Sequence, residues 1–543
     1  MNLISKDLIN KLRQKKINTF FGVQGGACAR LIEDVVKSGG KYYPVLNEQA
    51  AGYAAHGYYL ATKKVAGIIL TTGPGFTNAV SGIAACYYDN IPLVVLVGQV
   101  SKSLNKAKKF KTKMVGFQEI QHLKIGESIS DEVFCIDSVN NYKRFVKQHL
   151  NSITKKVSII EVLDDVQRMK INNISQKKDE IIKLKKITFN KKDILELNSK
   201  EKLLFILGAG FSRNLNVKSN LNLLNTFKIP SVLTWGAQEI TRRVKISQGI
   251  FGEHTPGKGN QQIEKSDIII CLGGSLLQHQ VGKSHKNFAP NAKILFVNND
   301  YNECRRAKKQ FGKRLTFYNC EINDFLKSFY KIYKTKKLNQ NTIDYKKKPL
   351  PKKIDKTPVP ILAKIFNKIN PNSSIIFSDA GATLSWSYQA SNILGKKSCP
   401  LFTSFNLHAM GYANCAGFGA ATETKKNIFV VIGDGSIPMN SQELAWASRF
   451  RIKFIVIDNQ GYGIIRQTQR QFYKSLFVGS DFKNKKSSLP SFSIKKIFES
   501  FDIPAIQLNL LKIDNDKINF FLKQKKSTAL IIRIDYSAEV KTK

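Results

Sequence analysis

The chain has 543 residues, too many for a single hydrophobic core, so two to four domains are expected. Hydrophobic residues make up 42% and aromatic residues 10% of it, which excludes a disordered chain. The formal charge of +46 comes from lysines spread along the sequence with no aromatic-interleaved basic motif, so a base-stacking nucleic-acid binder is excluded and a basic surface that draws in anionic substrates remains.

From the start, Met1-Asn2-Leu3-Ile4-Ser5-Lys6-Asp7 is amphipathic and lacks the continuous apolar core of a signal peptide. No apolar run is long enough to span a membrane, and a cytoplasmic protein is expected. Strand-like runs follow at Val65–Leu70 and Pro92–Gly98. Residues 171–200 are polar and Lys-rich and read as a linker. Further runs lie at Leu203–Gly208, Ile268–Leu272 and Ile294–Val297. A second linker, residues 331–358, contains Lys347-Lys348-Pro349-Leu350-Pro351. The last runs are Ile375–Ser378, Ile428–Ile432 and Phe454–Ile457. Short, near-continuous apolar runs separated by helix-length segments argue for βαβ units with parallel sheets. The class is therefore α/β, with three domains at 1–170, 190–335 and 355–543. The eight cysteines form no C-x-x-C pair and no metal-ligand spacing, so reduced, mostly buried thiols are expected.

Two distant segments carry the chemistry. After Ile428–Ile432 comes Gly433-Asp434-Gly435-Ser436, and after Phe454–Ile457 comes Asp458-Asn459-Gln460-Gly461. In an open parallel sheet, ligands sit past the carboxyl ends of the strands. The glycines permit a tight turn and close backbone approach. Asp434 and the Asn459 side-chain oxygen are hard ligands suited to Mg²⁺ carrying a diphosphate. Ser441–Ala447 reads as a helix whose N-terminus favours an anion. Near the start, Glu48 stands among small and apolar residues in Pro44-Val45-Leu46-Asn47-Glu48-Gln49-Ala50-Ala51-Gly52. Taken alone it reads as an acid at a helix N-terminus, and Met410 taken alone as a core methionine.

The text around these segments is Thr72-Gly73-Pro74-Gly75-Phe76-Thr77-Asn78-Ala79, Tyr88-Asp89-Asn90-Ile91-Pro92, Gly98-Gln99-Val100 and Leu407-His408-Ala409-Met410-Gly411. Together they resemble the thiamine-diphosphate enzyme superfamily, and within it the acetolactate synthase (acetohydroxyacid synthase) branch. The resemblance implies the thiamine-diphosphate-binding fold, with pyrimidine-binding, central and diphosphate-binding domains. It implies that Glu48 bonds the aminopyrimidine and promotes proton removal from the thiazolium ring, and that Met410 wedges between the two rings. It adds the Gly461 carbonyl to Asp434 and Asn459 as metal ligands. It places Gly73, Asn78, Gly381, Thr383, His408, Gly433, Gly435 and Ser436 at the cofactor, Gln118 beside Glu48 at the reacting end, and Gly25, Gly26, Ile464 and Thr468 in the substrate pocket. A homodimer or homotetramer is implied as well, with no nucleic-acid partner.

The sequence also departs from that family. Ala382-Thr383 replaces its Gln-His pair, Glu127-Ser128-Ile129-Ser130 stands where a Lys-His pair is usual, and Thr468 replaces a tryptophan that shapes the acceptor pocket. In the central domain, Gly273-Gly274-Ser275-Leu276 lacks the Arg-Phe-Asp-Asp pattern that accompanies FAD. Gly208-Ala209-Gly210 leaves FAD possible, but the balance is against it. The expected function is thiamine-diphosphate- and Mg²⁺-dependent decarboxylation of a 2-oxo acid donor, pyruvate by default, with carboligation; acetolactate is the default product, and Thr468 with the missing Lys-His pair argues for another acceptor such as a keto sugar. The alternatives are a simple 2-oxo acid decarboxylase, whose candidate histidines are His56, His122 and His408, and a non-catalytic basic binding relative.

Overall fold

The computed structural model describes residues 2–172, 201–336, 356–473, 476–482, 487–510 and 514–542. Most of both expected linkers, at 173–200 and 337–355, lies outside the described residues. The apolar runs form strands, and the strands form three six-stranded sheets with every pairing parallel.

In space the first sheet runs Lys41–Pro44, Thr19–Gly22, Ala66–Leu70, Leu93–Gln99, Val157–Leu163, Glu132–Ile136. The third runs Leu401–Phe402, Ser374–Ser378, Asn427–Gly433, Ile452–Asp458, Thr528–Arg533, Ala505–Asn509. Counted along the chain, both have the strand order 2-1-3-4-6-5. The outer domains thus share one plan. The central sheet runs Ser247–Ile250, Ser231–Leu233, Leu203–Leu207, Ile268–Leu272, Lys293–Asn298, Leu315–Asn319, the order 3-2-1-4-5-6 found in dinucleotide-binding folds. A two-residue antiparallel pair, Asn2–Leu3 with Lys170–Ile171, closes the first domain at its ends. Among the described residues no helix is long and apolar enough to cross a membrane. All eight cysteines are free thiols, and only Cys135 is not fully buried.

Inner strands such as Ala66–Leu70 and Leu93–Gln99 are buried along their whole length because helices cover both faces. At about 1.5–3 kcal/mol per fully buried aliphatic side chain, they contribute more than the edge strand Lys41–Pro44, which is half-exposed. Four inner strands lie outside the runs picked from the sequence, the short Thr19–Gly22 and Ser231–Leu233 and the longer Val157–Leu163 and Thr528–Arg533. Val157–Leu163 is obscured by the polar Ser158 and Glu161 it buries, whereas Ala529-Leu530-Ile531-Ile532 is a legible apolar run.

Helix Glu48–Thr62 packs between Pro74–Tyr88 of its own domain and Tyr412–Ala421 of the third. A methyl on Gly57 would meet the Ala416 carbonyl oxygen at 2.1 Å, and one on Gly419 would meet the Ala54 carbonyl oxygen at 2.0 Å. A methyl on Gly52 would lie 2.5 Å from the Gly82 Cα. Only glycine lets these backbones approach so closely. One continuous apolar core therefore runs through the first and third domains.

A buried polar junction joins all three domains. The His56 ring lies 2.8 Å from the Tyr412 hydroxyl through Nδ1 and 2.9 Å from Asp89 Oδ2 through Nε2. Asp89 also accepts from the backbone N–H groups of Phe405, at 2.7 Å, and Asn406, at 2.9 Å. Arg213 of the central domain donates to the Asp89 carbonyl. Burial drives the His56 pKa down, against the pull of the Asp89 carboxylate. Burial alone would raise the Asp89 carboxyl, but the hydrogen bond from His56 and the charges around it hold the group below its usual range.

Gly57→Ala sets two effects against each other. Alanine gains about 1 kcal/mol in helix propensity. The methyl meets backbone atoms that cannot step aside, which costs about 2–3 kcal/mol or more. Net destabilisation is expected in urea unfolding. Unchanged or raised stability would mean that the two helices do not touch at this point.

Candidate functional site

The carboxyl end of the first sheet gathers one set of residues. Strand Lys41–Pro44 is followed by Asn47, whose side chain caps helix Glu48–Thr62 by accepting from the Gln49 N–H at 2.9 Å. This fixes Glu48 as the first helical residue, buried at 9% exposure. Asn78 Nδ2, from the first turn of helix Pro74–Tyr88, donates to Glu48 Oε2 at 3.1 Å. Gly75 packs beside the other carboxylate oxygen, where an added methyl would fall 3.5 Å from Glu48 Oε1. Gly73 takes φ +67°, and Gln118 lies flush on it with φ +61°. Gly25 abuts Thr71, whereas a side chain at Gly26 would meet only open space. Glu48, Gly73, Asn78, Gln118 and the loop of Gly25 and Gly26 thus converge.

The carboxyl end of the third sheet gathers the second set. Asp434 follows strand Asn427–Gly433 and is 1% exposed. Its Oδ1 accepts from the Gly435 N–H at 2.9 Å and its Oδ2 from the Gly461 N–H at 2.8 Å. Burial pushes its carboxyl up to about 7, against those two donors. The Asn459 amide oxygen faces Asp434 Oδ1 at 2.9 Å and the Gly461 carbonyl oxygen at 2.6 Å. Three acceptors this close repel one another. Turning the amide would place its NH₂ against both oxygens. A hard cation among them would also satisfy all three. Octahedral Mg²⁺ holds oxygens at about 2.1 Å, so neighbouring ligands lie about 2.9 Å apart. The all-oxygen donor set fits Mg²⁺, as does the 2.9 Å spacing of Asn459 from Asp434, while the 2.6 Å spacing from Gly461 is shorter than that octahedron holds.

Arg466, which no sequence motif singles out, holds this loop. It is fully buried, and its guanidinium donates to the carbonyls of Asn459 at 2.6 Å and Gln460 at 2.8 Å. It lies 4.0 Å from the centre of the Tyr536 ring. With these carbonyls engaged, the Gly461 carbonyl is left facing the amide.

Around this turn, Thr383 is buried with its hydroxyl toward Gly433, where an added methyl would lie 3.1 Å away. Gly381 takes φ +76° and faces Ile464. Ser436 is buried. Met410 is half-buried on a loop pressed against Met439 and Asn440 at Gly411. His408 is exposed with φ +49°, and its ring stacks over Trp235 at 6.3 Å between centroids. Thr468 is exposed one turn beyond Ile464, and its hydroxyl bonds the Ile464 carbonyl at 3.1 Å.

The expected helix over Ser441–Ala447 is corrected. Ile437–Glu443 is a 3₁₀ segment kinked at Asn440, and only Leu444–Ala447 is α-helical. The kink turns Asn440 and Glu443 toward the first domain. Asn440 Nδ2 donates to Gln49 Oε1 at 2.9 Å. Glu443 Oε1 accepts from the N–H groups of Leu46, at 2.8 Å, and Asn47, at 3.2 Å. Among the described residues no hydrogen bond joins Glu48 itself to the Asp434 set. The two sets are tied through the backbone just ahead of Glu48. Glu443 stands in the expected helix, but its partners are nearly 400 positions away in sequence, so nothing local signals its role.

Comparisons with known proteins match three segments of the chain. Residues 4–125 match the family described as "Thiamine pyrophosphate enzyme, N-terminal TPP binding domain". Residues 193–312 match its central domain and 379–532 its C-terminal TPP binding domain. The chain belongs to the thiamine pyrophosphate enzyme family. Among its relatives is the acetolactate synthase large subunit of Lactococcus lactis, 26% identical over 94% of this chain and 88% of that protein. Acetolactate synthase isozyme 2 large subunit of Escherichia coli is 24% identical over 87% and 85%. A probable acetolactate synthase large subunit of Methanococcus aeolicus is 26% identical over 95% and 89%. The protein is thus a thiamine-diphosphate-dependent enzyme similar to acetolactate synthases.

Burial pushes the fully buried Glu443 carboxyl from its usual 4.5 up to about 7. A folded pKa above the unfolded one adds stability below about 4.5, and this is lost as pH rises through about 7. Glutamine cannot ionise. The unfolding free energy of Glu443→Gln relative to the parent should therefore rise between pH 5 and pH 8, by up to about 3 kcal/mol. Urea titrations at the two pH values measure this, and a pH-independent difference would show that Glu443 titrates normally.

Proposed function

We propose that this thiamine pyrophosphate enzyme removes CO₂ from a 2-oxo acid, pyruvate in the first instance. The remaining two-carbon unit is joined to a carbonyl acceptor larger or more polar than a second pyruvate, such as a keto sugar. Bound thiamine diphosphate supplies a carbon nucleophile and a cationic ring that takes up electrons as CO₂ leaves.

In this reading Asp434, the Asn459 amide oxygen and the Gly461 carbonyl hold Mg²⁺. Gly433, Gly435, Ser436, Gly381 and Thr383 form the diphosphate cradle. Met410 supports the cofactor's folded shape, and the backbone at His408 contacts its pyrimidine. Glu48 exchanges a proton with the pyrimidine nitrogen, and Asn78 orients its carboxylate. Gln118, Gly25 and Gly26 face the donor, while Ile464 and Thr468 line the acceptor side.

One observation favours carboligation over simple decarboxylation. An enzyme that only decarboxylates needs an acid to protonate the two-carbon intermediate. His56 and His122 are both fully buried and engaged, His56 with Asp89 and His122 with Glu161. Neither is free to serve as that acid. His408 alone of the three is exposed, and its ring is directed onto Trp235.

A central cleft of about 450 Å³ lies at the strand ends carrying Gly210, Gly274 and Asp300. Asp300 is committed to capping helix Tyr301–Phe311, and Arg306 to Glu303 and the Ser275 carbonyl. FAD is therefore left out of the proposed cofactor set. A homodimer or homotetramer is proposed on exposed apolar side chains near both halves of the site. They include Phe117 at 81%, Phe110 at 59% and Tyr473 at 73% exposure. A cytoplasmic setting is proposed because all eight thiols are free.

The test is CO₂ release from pyruvate with thiamine diphosphate and Mg²⁺, without FAD, with products read by mass spectrometry. A ligation product longer than acetolactate in step with CO₂ supports the proposal, whereas acetolactate as the sole product with other acceptors present keeps the carboligation and overturns the larger acceptor. Acetaldehyde alone, with candidate acceptors present, refutes the carboligation. Glu48→Gln should cut turnover by about 10²–10⁴-fold with cofactor affinity retained in calorimetry. Asp434→Ala should abolish the Mg²⁺-dependent part of that affinity. Near-normal turnover in the Glu48 variant would remove the assignment.

A further inference from the structure

Beneath Gln118 lies a buried polar cluster that no step above uses. His122 is fully buried, although its position in the chain gave no sign of a partner. Its Nδ1 lies 2.7 Å from Glu161 Oε2, and the carboxylate places the proton on that nitrogen. Nε2 is then an acceptor for the Gly73 N–H at 3.4 Å, and it packs 3.3 Å from the Thr72 oxygen, whose one proton goes elsewhere. Gln99 Nε2 donates to Glu161 Oε2 at 3.1 Å and to the Ile120 carbonyl at 3.0 Å. Thr72 Oγ1 donates to the Gln118 carbonyl at 2.8 Å.

Gln118 itself is held in an unfavourable shape. Its φ of +61° lies in the left-handed region, which residues with side chains rarely adopt. Such a conformation persists only where surrounding contacts over-determine it, and it concentrates at functional positions. Here the contacts come from Thr72 and Gly73. An added methyl at Gly73 would fall 2.9 Å from Gln118 Cβ and 3.1 Å from its carbonyl oxygen, so no bulkier residue fits under it. His122 touches both Thr72 and Gly73. Its position is fixed in turn by Glu161, on the inner strand Val157–Leu163, and by the edge of the Phe76 ring at 5.2 Å between centroids.

We infer that His122, locked by Glu161, is a positioning residue that holds the Thr72-Gly73 strand end so that Gln118 keeps its left-handed conformation at the reacting end of the site. His122 does not touch substrate. It sets the angle at which the Gln118 side chain leaves the loop over residues 116–121. The inference rests on the placement of Gln118 proposed above.

The test compares the full-length protein with His122→Leu, Gln118→Gly and the double variant, all loaded with thiamine diphosphate and Mg²⁺. Two readouts are used: amide hydrogen exchange over residues 116–121, and kcat and KM for pyruvate consumption. His122→Leu is expected to bind the cofactor as the parent does. Exchange around Gln118 should rise by about tenfold or more. The kcat should fall about tenfold or more with KM little changed, since small misplacements at a reacting centre cost rate. Glycine adopts a left-handed φ without strain and has no side chain to aim. Adding His122→Leu to Gln118→Gly should therefore lower kcat no further.

Unchanged exchange, or fully additive losses of kcat in the double variant, would overturn the inference. A merely structural histidine would give additive losses together with weakened cofactor binding. If His122→Leu does not fold, His122→Gln keeps one donor and one acceptor and is judged by the same two readouts. If the parent consumes no pyruvate, the donor assignment fails, and the exchange readout still decides the role of His122.

Discussion

The close approach of helix Glu48–Thr62 to helix Tyr412–Ala421 is the constraint on which the site depends. Glycines on both helices bring backbone against backbone, at Gly57 to Ala416 and at Gly419 to Ala54. At such distances neither helix can slide or rotate by a residue without collision. Glu48 is the first residue of one helix. The loop that carries His408 and Met410 leads directly into the other. The register of one packing contact thus sets two parts of the site that lie over 350 residues apart in sequence.

Polar contacts then refine what the glycines permit. The kink at Asn440 sends Asn440 to Gln49 and Glu443 to the amides just ahead of Glu48. Asp89 does the same for Phe405 and Asn406, while His56 and Arg213 hold Asp89. These bonds are partly or fully buried, and an unmade hydrogen bond in a buried place costs about 1–3 kcal/mol. They therefore favour one arrangement of the three domains over looser ones with the same apolar contacts.

Three carboxyls near the third sheet, Asp379, Asp434 and Glu443, are pushed up to about 7 by burial. Each accepts backbone N–H groups, and none has an ion-pair partner among the described residues. A cation bound by Asp434 would reverse the effect there, because an adjacent positive charge favours the ionised form. The chain's large positive charge comes mostly from lysines, exposed for the most part among the described residues, and acts at long range on anionic ligands.

The sequence by itself determines the α/β class, three parallel sheets and the turn residues at the strand ends, because these depend on local periodicity and on glycine's backbone freedom. Asp434, Asn459 and Glu48 are legible because short spacings bind each to a strand or helix end. Glu443, Arg466 and the His122–Glu161 pair are not, because their partners are brought in by folding rather than by neighbouring text. The α-helix expected at Ser441 gives way to a kinked 3₁₀ segment for the same reason: contacts with Gln49, Leu46 and Asn47 outweigh local helix propensity. Tertiary structure alone decides that two sheets of identical strand order face each other through glycine-lined helices. Backbone contact between distant segments leaves no periodic trace in either one.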